Sequence, residues 1–148
     1  MEKEASDADF KDKLETLSLP YTQPLTHYLL RVYEAEGCGR KEVWTSAGRK
    51  TNTVEHVLPQ TVTKGKDSGD FWIAQFGNEE ACGLYSSKMG NYAFLTSKAQ
   101  SKASNKDFAF KKSVYATETD MKLTQELCEY SEWTIKSIEK RQKRMTQV

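Results

Sequence analysis

Histidine, cysteine and proline are scarce in this chain of 148 residues: two, three and three, respectively. With only His27 and His56 available, any imidazole chemistry at neutral pH falls to one of them. Cys38, Cys82 and Cys128 show no Cys-x-x-Cys spacing, which argues against a four-ligand structural zinc. Their odd number points to a reducing, cytoplasmic setting, with each thiol read as free and buried. No stretch approaches the roughly 18 apolar residues of a membrane span, and the acidic opening Met1-Glu2-Lys3-Glu4 reads as no signal peptide. Internal repeats, low-complexity tracts and a phosphate-binding P-loop are also missing.

What is present fits one soluble globular domain, with 37% hydrophobic and 29% charged residues. Residues 1–20 read as an N-terminal extension with a short helix over Phe10–Leu17, and 21–148 as the domain proper. The net charge of +1 hides an asymmetry. Residues 1–87 carry 10 Lys/Arg against 14 Asp/Glu, while 88–148 carry 12 against 7. A polyanion is therefore drawn to the second part, although charge runs also serve as solvated helix faces.

Periodicity predicts an α+β, mostly helical chain. Leu25, Tyr28, Leu29, Val32 and Tyr33 form a helical stripe, with Pro24 in the first turn and Gly37 at the end. His27, beside that stripe, reads as structural or surface. Val43–Thr45 suggests a short extended piece and Ser46–Lys50 a turn. Asn52–Val57 reads as a strand, Thr63–Gly69 as a loop, and Asp70 as the cap of a helix whose Phe71, Trp72 and Phe76 fill core. A Gly90-Asn91 turn precedes a strand at Tyr92–Leu95. A basic helix over Ser97–Tyr115 follows, with a break suggested at Ser104-Asn105. Asp120 is predicted to cap the next helix, and Ile135, Ile138 and Met145 to face inward from the last.

The chemistry-bearing residues are Glu55-His56 at the end of the first strand and Asn91 in the turn. His56 suits a general base, since an unperturbed imidazole accepts a proton from water near neutrality. Glu55 suits a magnesium or manganese ion, and Gln100, nine positions after Asn91, offers an amide oxygen as second ligand, with Asn105 as the competing candidate. Asn91 would pin the turn by hydrogen bonding. Adjacent strand residues point to opposite faces, so Glu55 and His56 converge on one ion only if the strand bends there. Lys98, Lys102, Lys106, Lys111 and Arg141 are candidates for backbone-phosphate contacts on DNA.

These residues together resemble a known family. Val54-Glu55-His56-Val57-Leu58-Pro59-Gln60 is similar to the "EHILPQ" signature of the C-terminal HNH-type nuclease domain of GmrSD-type modification-dependent restriction proteins. Met89–Leu95 resembles that family's "iGNLtLL" segment. Ala103–Phe108 with Lys111, Lys112 and Tyr115 resembles its "aSNkpF..KK..Y" segment. Trp133, Ile138 and Arg141 match a closing "W....I..R" pattern, and Trp72 with Phe76 matches a Trp between the first two motifs. The resemblance implies a ββα-metal (HNH, His-Me finger) core wrapped by further helices, and a DNA endonuclease of restriction and phage defence that uses Mg2+ or Mn2+. It also implies a ParB-like NTPase partner, as another domain or subunit, leaving this chain an excised domain or a free-standing nuclease. Carried over by position, His56 is the base, Asn91 the loop residue and Glu55 a metal ligand. Gln100 stands where the family usually has Asn, and the extra methylene shifts the ligating oxygen by more than about an ångström. A catalytically decayed module that binds DNA or a protein is the alternative, and a ribonuclease of the same superfamily a third.

Overall fold

The computed structural model describes residues 7–39 and 52–147, and the expected extended piece and turn at 43–50 lie outside them. Helices dominate around one small antiparallel sheet. Helix α1 spans Asp7–Thr16 and α2 Pro24–Val32, with Pro24 in the first turn and a π-helical turn carrying the chain through Tyr33–Gly37. Strand β1 (Asn52–His56) precedes α3 (Gly69–Phe76) and α4 (Glu79–Ser86). A 3-10 turn at Met89–Asn91 opens β2 (Tyr92–Thr96), which runs straight into α5 (Ser97–Ala103). Then come α6 (Phe108–Thr117), the short α7 (Lys122–Gln125) with a 3-10 turn at Glu126–Glu129, and α8 (Ile135–Thr146). Among the described residues no helix is long and apolar enough to cross a membrane.

The long basic helix expected over Ser97–Tyr115 is two helices, parted where the sequence hinted. Ser104 takes a left-handed φ of 41°, and the Asp107 side chain then caps α6 by accepting from the Phe110 N–H. Two expected caps do not form. Asp70 lies inside α3 and its carboxylate accepts from the Gly65 N–H instead. Helix α7 starts after Met121, and its first N–H groups, at Lys122 and Leu123, are taken by the buried Glu34 carboxylate, each at 2.7 Å. No local signal marks Glu34 for that task, because it arrives from 88 residues away.

The buried face of α2 is displaced by one position from the apolar stripe. Leu25 and Tyr28 are exposed, whereas Thr26, Leu30, Tyr33 and Glu34 are buried. Each buried polar group has a partner: the Thr26 hydroxyl donates to Pro20 O, and the Tyr33 hydroxyl to Glu126. His27 and Arg31 therefore flank the packed face.

Among the described residues the sheet has two strands and hence two edges, whose outward backbone groups need partners. Its register pairs Val54 with Phe94, Glu55 with Ala93 and His56 with Tyr92. Helical side chains complete both edges. On β1, Val54 O accepts from Gln100 Nε2 and His56 O from Lys111 Nζ, both at 2.7 Å. On β2, Tyr92 O accepts from Arg141, while Thr124 Oγ1 accepts from Phe94 N–H and donates to Phe94 O. The core packs around this ribbon, with Val57, Leu58, Trp72, Phe94, Leu95, Tyr115, Trp133 and Ile138 buried. Trp72 and Phe76 fill core as expected. Cys38, Cys82 and Cys128 are free thiols, but only Cys82 is buried.

The segment before Tyr21 is tied to the body. Gln142 Nε2 donates to Leu14 O and Leu17 O, Leu19 N–H to Ser87 O, and Tyr92 Oη to Leu19 O.

Candidate active site

His56 ends β1 half-buried, its imidazole edge-on between the rings of Tyr21 and Tyr92, each with centroids 5.1 Å away. It lines an open cleft of about 480 Å³ bounded by Tyr21, Thr22 and His27 on the α2 side. Asn52, Thr53 and Val54 bound it on β1, with Gln60 and Gln100 completing the wall. Both histidines of the chain thus meet one space; the sequence reads His27 as structural or surface, and gives no sign that it shares a cleft with His56. Its only signal was helical phase, which the apolar stripe reported one residue out. Burial, and then the charge of Lys111, push the His56 imidazolium down to about 4. At neutral pH its ring is uncharged, and the same shift makes it a weaker base than a free imidazole.

Glu55 turns to the other face of the strand, as alternation requires. No bend brings it round to His56. The carboxylate is buried, accepts from Tyr115 Oη at 3.0 Å and lies 3.6 Å from Lys111 Nζ. Burial raises the Glu55 carboxyl and lowers the Lys111 ammonium, while the attraction between them opposes both shifts. Lys111, expected to meet DNA phosphates, is instead fully buried and holds Glu55 and the His56 carbonyl together. Arg141 is a second correction of the same kind. It is buried and donates to Glu126, Gly90 O, Tyr92 O and Leu123 O. Both were placed on the surface because sequence charge alone does not reveal a buried partner. Lys98, Lys102 and Lys106 are exposed, with Lys102 paired to Glu118 at 2.5 Å.

Asn91 is fully buried, and all its side-chain hydrogen-bonding capacity is used. Oδ1 accepts from Leu58 N–H at 2.8 Å and Trp133 Nε1 at 3.0 Å, and Nδ2 donates to Leu58 O and Ser86 O. It fastens the turn to the loop directly after His56. Gly90 allows this, since a Cβ there would stand 2.3 Å from Ile138 O on α8.

Gln100 lies beside the cleft, but its amide nitrogen is committed to Val54 O. Asn105 lines a separate small cavity with Pro59, Thr61 and Trp72. The residues carried over for a magnesium or manganese ion therefore do not fit one as arranged. The carboxylate faces away from the cleft into an ion pair, and the cleft presents neutral imidazoles and amides, whereas hard dications favour anionic oxygen.

The model of the GmrSD restriction endonuclease C-terminal domain family matches residues 4–148. No curated protein and no solved structure matches the chain. Nearly the whole sequence falls within that one match, including strand β1 and Gln100 of α5, which line the cleft. The chain belongs to the family of GmrSD restriction endonuclease C-terminal domains.

Proposed function

We propose that the chain is a DNA endonuclease domain of the HNH type that hydrolyses phosphodiester bonds with His56 as general base. The observation that carries this reading is the neutral His56 ring, held between two tyrosines at the wall of an open cleft in a nuclease family. In the proposed step, His56 removes a proton from water as that oxygen bonds to phosphorus. The P–O bond to the leaving sugar oxygen breaks in line, and that oxygen takes its proton from solvent. Asn91 and Lys111 act one step back: Asn91 fixes the loop after His56, and Lys111 fixes the His56 carbonyl. Lys98, Lys102 and Lys106 are proposed to meet the DNA backbone, a contact that reads no sequence. The antiparallel pair leading directly into α5 has the order of a ββα core, which supports the HNH assignment. A ParB-like NTPase is the proposed partner, by family resemblance.

One observation favours a second reading. The Glu55–Lys111 pair and the Gln100 clasp on Val54 O give the two intended metal ligands structural work. On that account the fold binds DNA without cutting it. Supercoiled-plasmid nicking by wild type and His56→Ala, in magnesium, in manganese and in EDTA, separates the two. Cleavage by wild type that disappears in the variant while DNA binding persists supports the enzyme. Wild type that binds but cleaves under none of these conditions supports the binding module.

A further inference from the structure

The α2 side of the cleft contains a residue to which the proposed reaction assigns no role. His27 lines the same space as His56, and its ring centroid lies 6.0 Å from that of Phe94. Phe94 pairs across the sheet with Val54, two residues before His56 on the same face. The two imidazoles therefore face the same cleft, His27 from α2 and His56 from β1. Arg31 follows one helical turn after His27 and is close enough to depress its imidazolium, after the larger effect of burial. The wall opposite β1 thus combines a neutral N–H donor with a positive field. Tyr21, partly exposed, stands at the edge of the same cleft against His56.

An anionic strand is the ligand such a wall suits. Phosphate oxygens accept hydrogen bonds and gain from nearby positive charge, whereas an apolar or cationic guest would gain nothing from either. Lys111 and Arg141 are buried, so the grip on nucleic acid at the cleft cannot come from them. We propose that His27 is a substrate-binding residue that donates a hydrogen bond to a backbone phosphate of the nucleic-acid strand lying in the cleft, within the positive field of Arg31. The inference deepens the nuclease reading and names α2, together with β1, as the track of the strand.

Binding is measured on the full chain by fluorescence anisotropy of labelled single-stranded and duplex DNA in EDTA, so that no metal-dependent cleavage is needed. His27→Leu removes the donor and is expected to weaken binding about tenfold, the scale of one hydrogen bond to a charged group. His27→Gln keeps an N–H and is expected to retain most of the affinity. Thermal melting of both variants checks that the fold is intact. Where cleavage is measurable, His27→Leu should raise KM by more than it lowers kcat, whereas His56→Ala should act on kcat. The proposal is overturned if His27→Leu binds DNA as wild type does, if both variants lose affinity only as far as they lose melting temperature, or if wild type fails to bind either DNA. Absence of cleavage together with the expected binding pattern would overturn the nuclease reading and leave His27 as a binding residue.

Discussion

Glu55→Gln tests whether the carboxylate is a structural partner or a metal ligand. The substitution keeps the size of the side chain and an acceptor for the Tyr115 hydroxyl, but it removes the charge opposite Lys111. The ammonium is then left fully buried, with the His56 carbonyl as its remaining partner in the described contacts. Removing one member of a buried ion pair costs about 3–5 kcal/mol, and the retained Tyr115 contact favours the lower end. For a chain of this length, a loss of about 3 kcal/mol lowers the melting temperature by roughly 6–12 °C. Lys111→Met should cost a similar amount. The double variant should recover part of the loss, since a buried pair replaced by neutral groups is often tolerated. Urea and thermal unfolding followed by circular dichroism, in metal-free buffer at pH 7, give all three values. If Glu55→Gln melts within about 2 °C of wild type yet loses metal-dependent cleavage, the carboxylate faces the cleft and the ion-pair account is wrong.

Protonating His56 should destabilise the fold. Its folded value near 4 lies below the ordinary 6.5, so the unfolded chain binds more protons in between, and stability present above pH 6.5 is lost as pH falls toward 4. The loss approaches roughly 3 kcal/mol, and His56→Gln should flatten that part of a urea-midpoint profile against pH. The same shift leaves the imidazole in its base form throughout pH 6–8, so an acid limb of kcat/KM centred near 6.5 would contradict it. Gly90→Ala forces a methyl group against the Ile138 carbonyl and should cost about 2 kcal/mol or more, read from urea unfolding. Asn91→Ala strands buried donors at Leu58 and Trp133 and should cost at least about 3 kcal/mol, with an unperturbed melt refuting the four-bond accounting. Lys98→Glu should weaken DNA binding and reduce its salt dependence, as measured by anisotropy across a salt series.

Much of the local structure around the candidate site was legible in the sequence because its parts are local. The β-branched run before Glu55-His56, the Gly90-Asn91 turn and the apolar Tyr92–Leu95 segment are adjacent in sequence to what they form. Asn91 holds the turn as its residue type and position implied. The failures share another cause. Lys111, Arg141 and Glu34 look like surface charges until the partner that buries them is known, and their partners lie 15 to 89 residues away. The phase of α2 misled for the same reason. An apolar stripe predicts the buried face only when polar neighbours have no satisfied place inside, and Thr26 and Glu34 have one.

The contact between Gly90 and the Ile138 carbonyl has a mechanical consequence. Helix α8 sends no side chain into the cleft, yet its backbone abuts the turn whose asparagine grips the loop behind the proposed base. A load placed on residues 135–146, by a docked protein or a fused tag, would therefore press first on that turn, which makes this helix a lever on the proposed site.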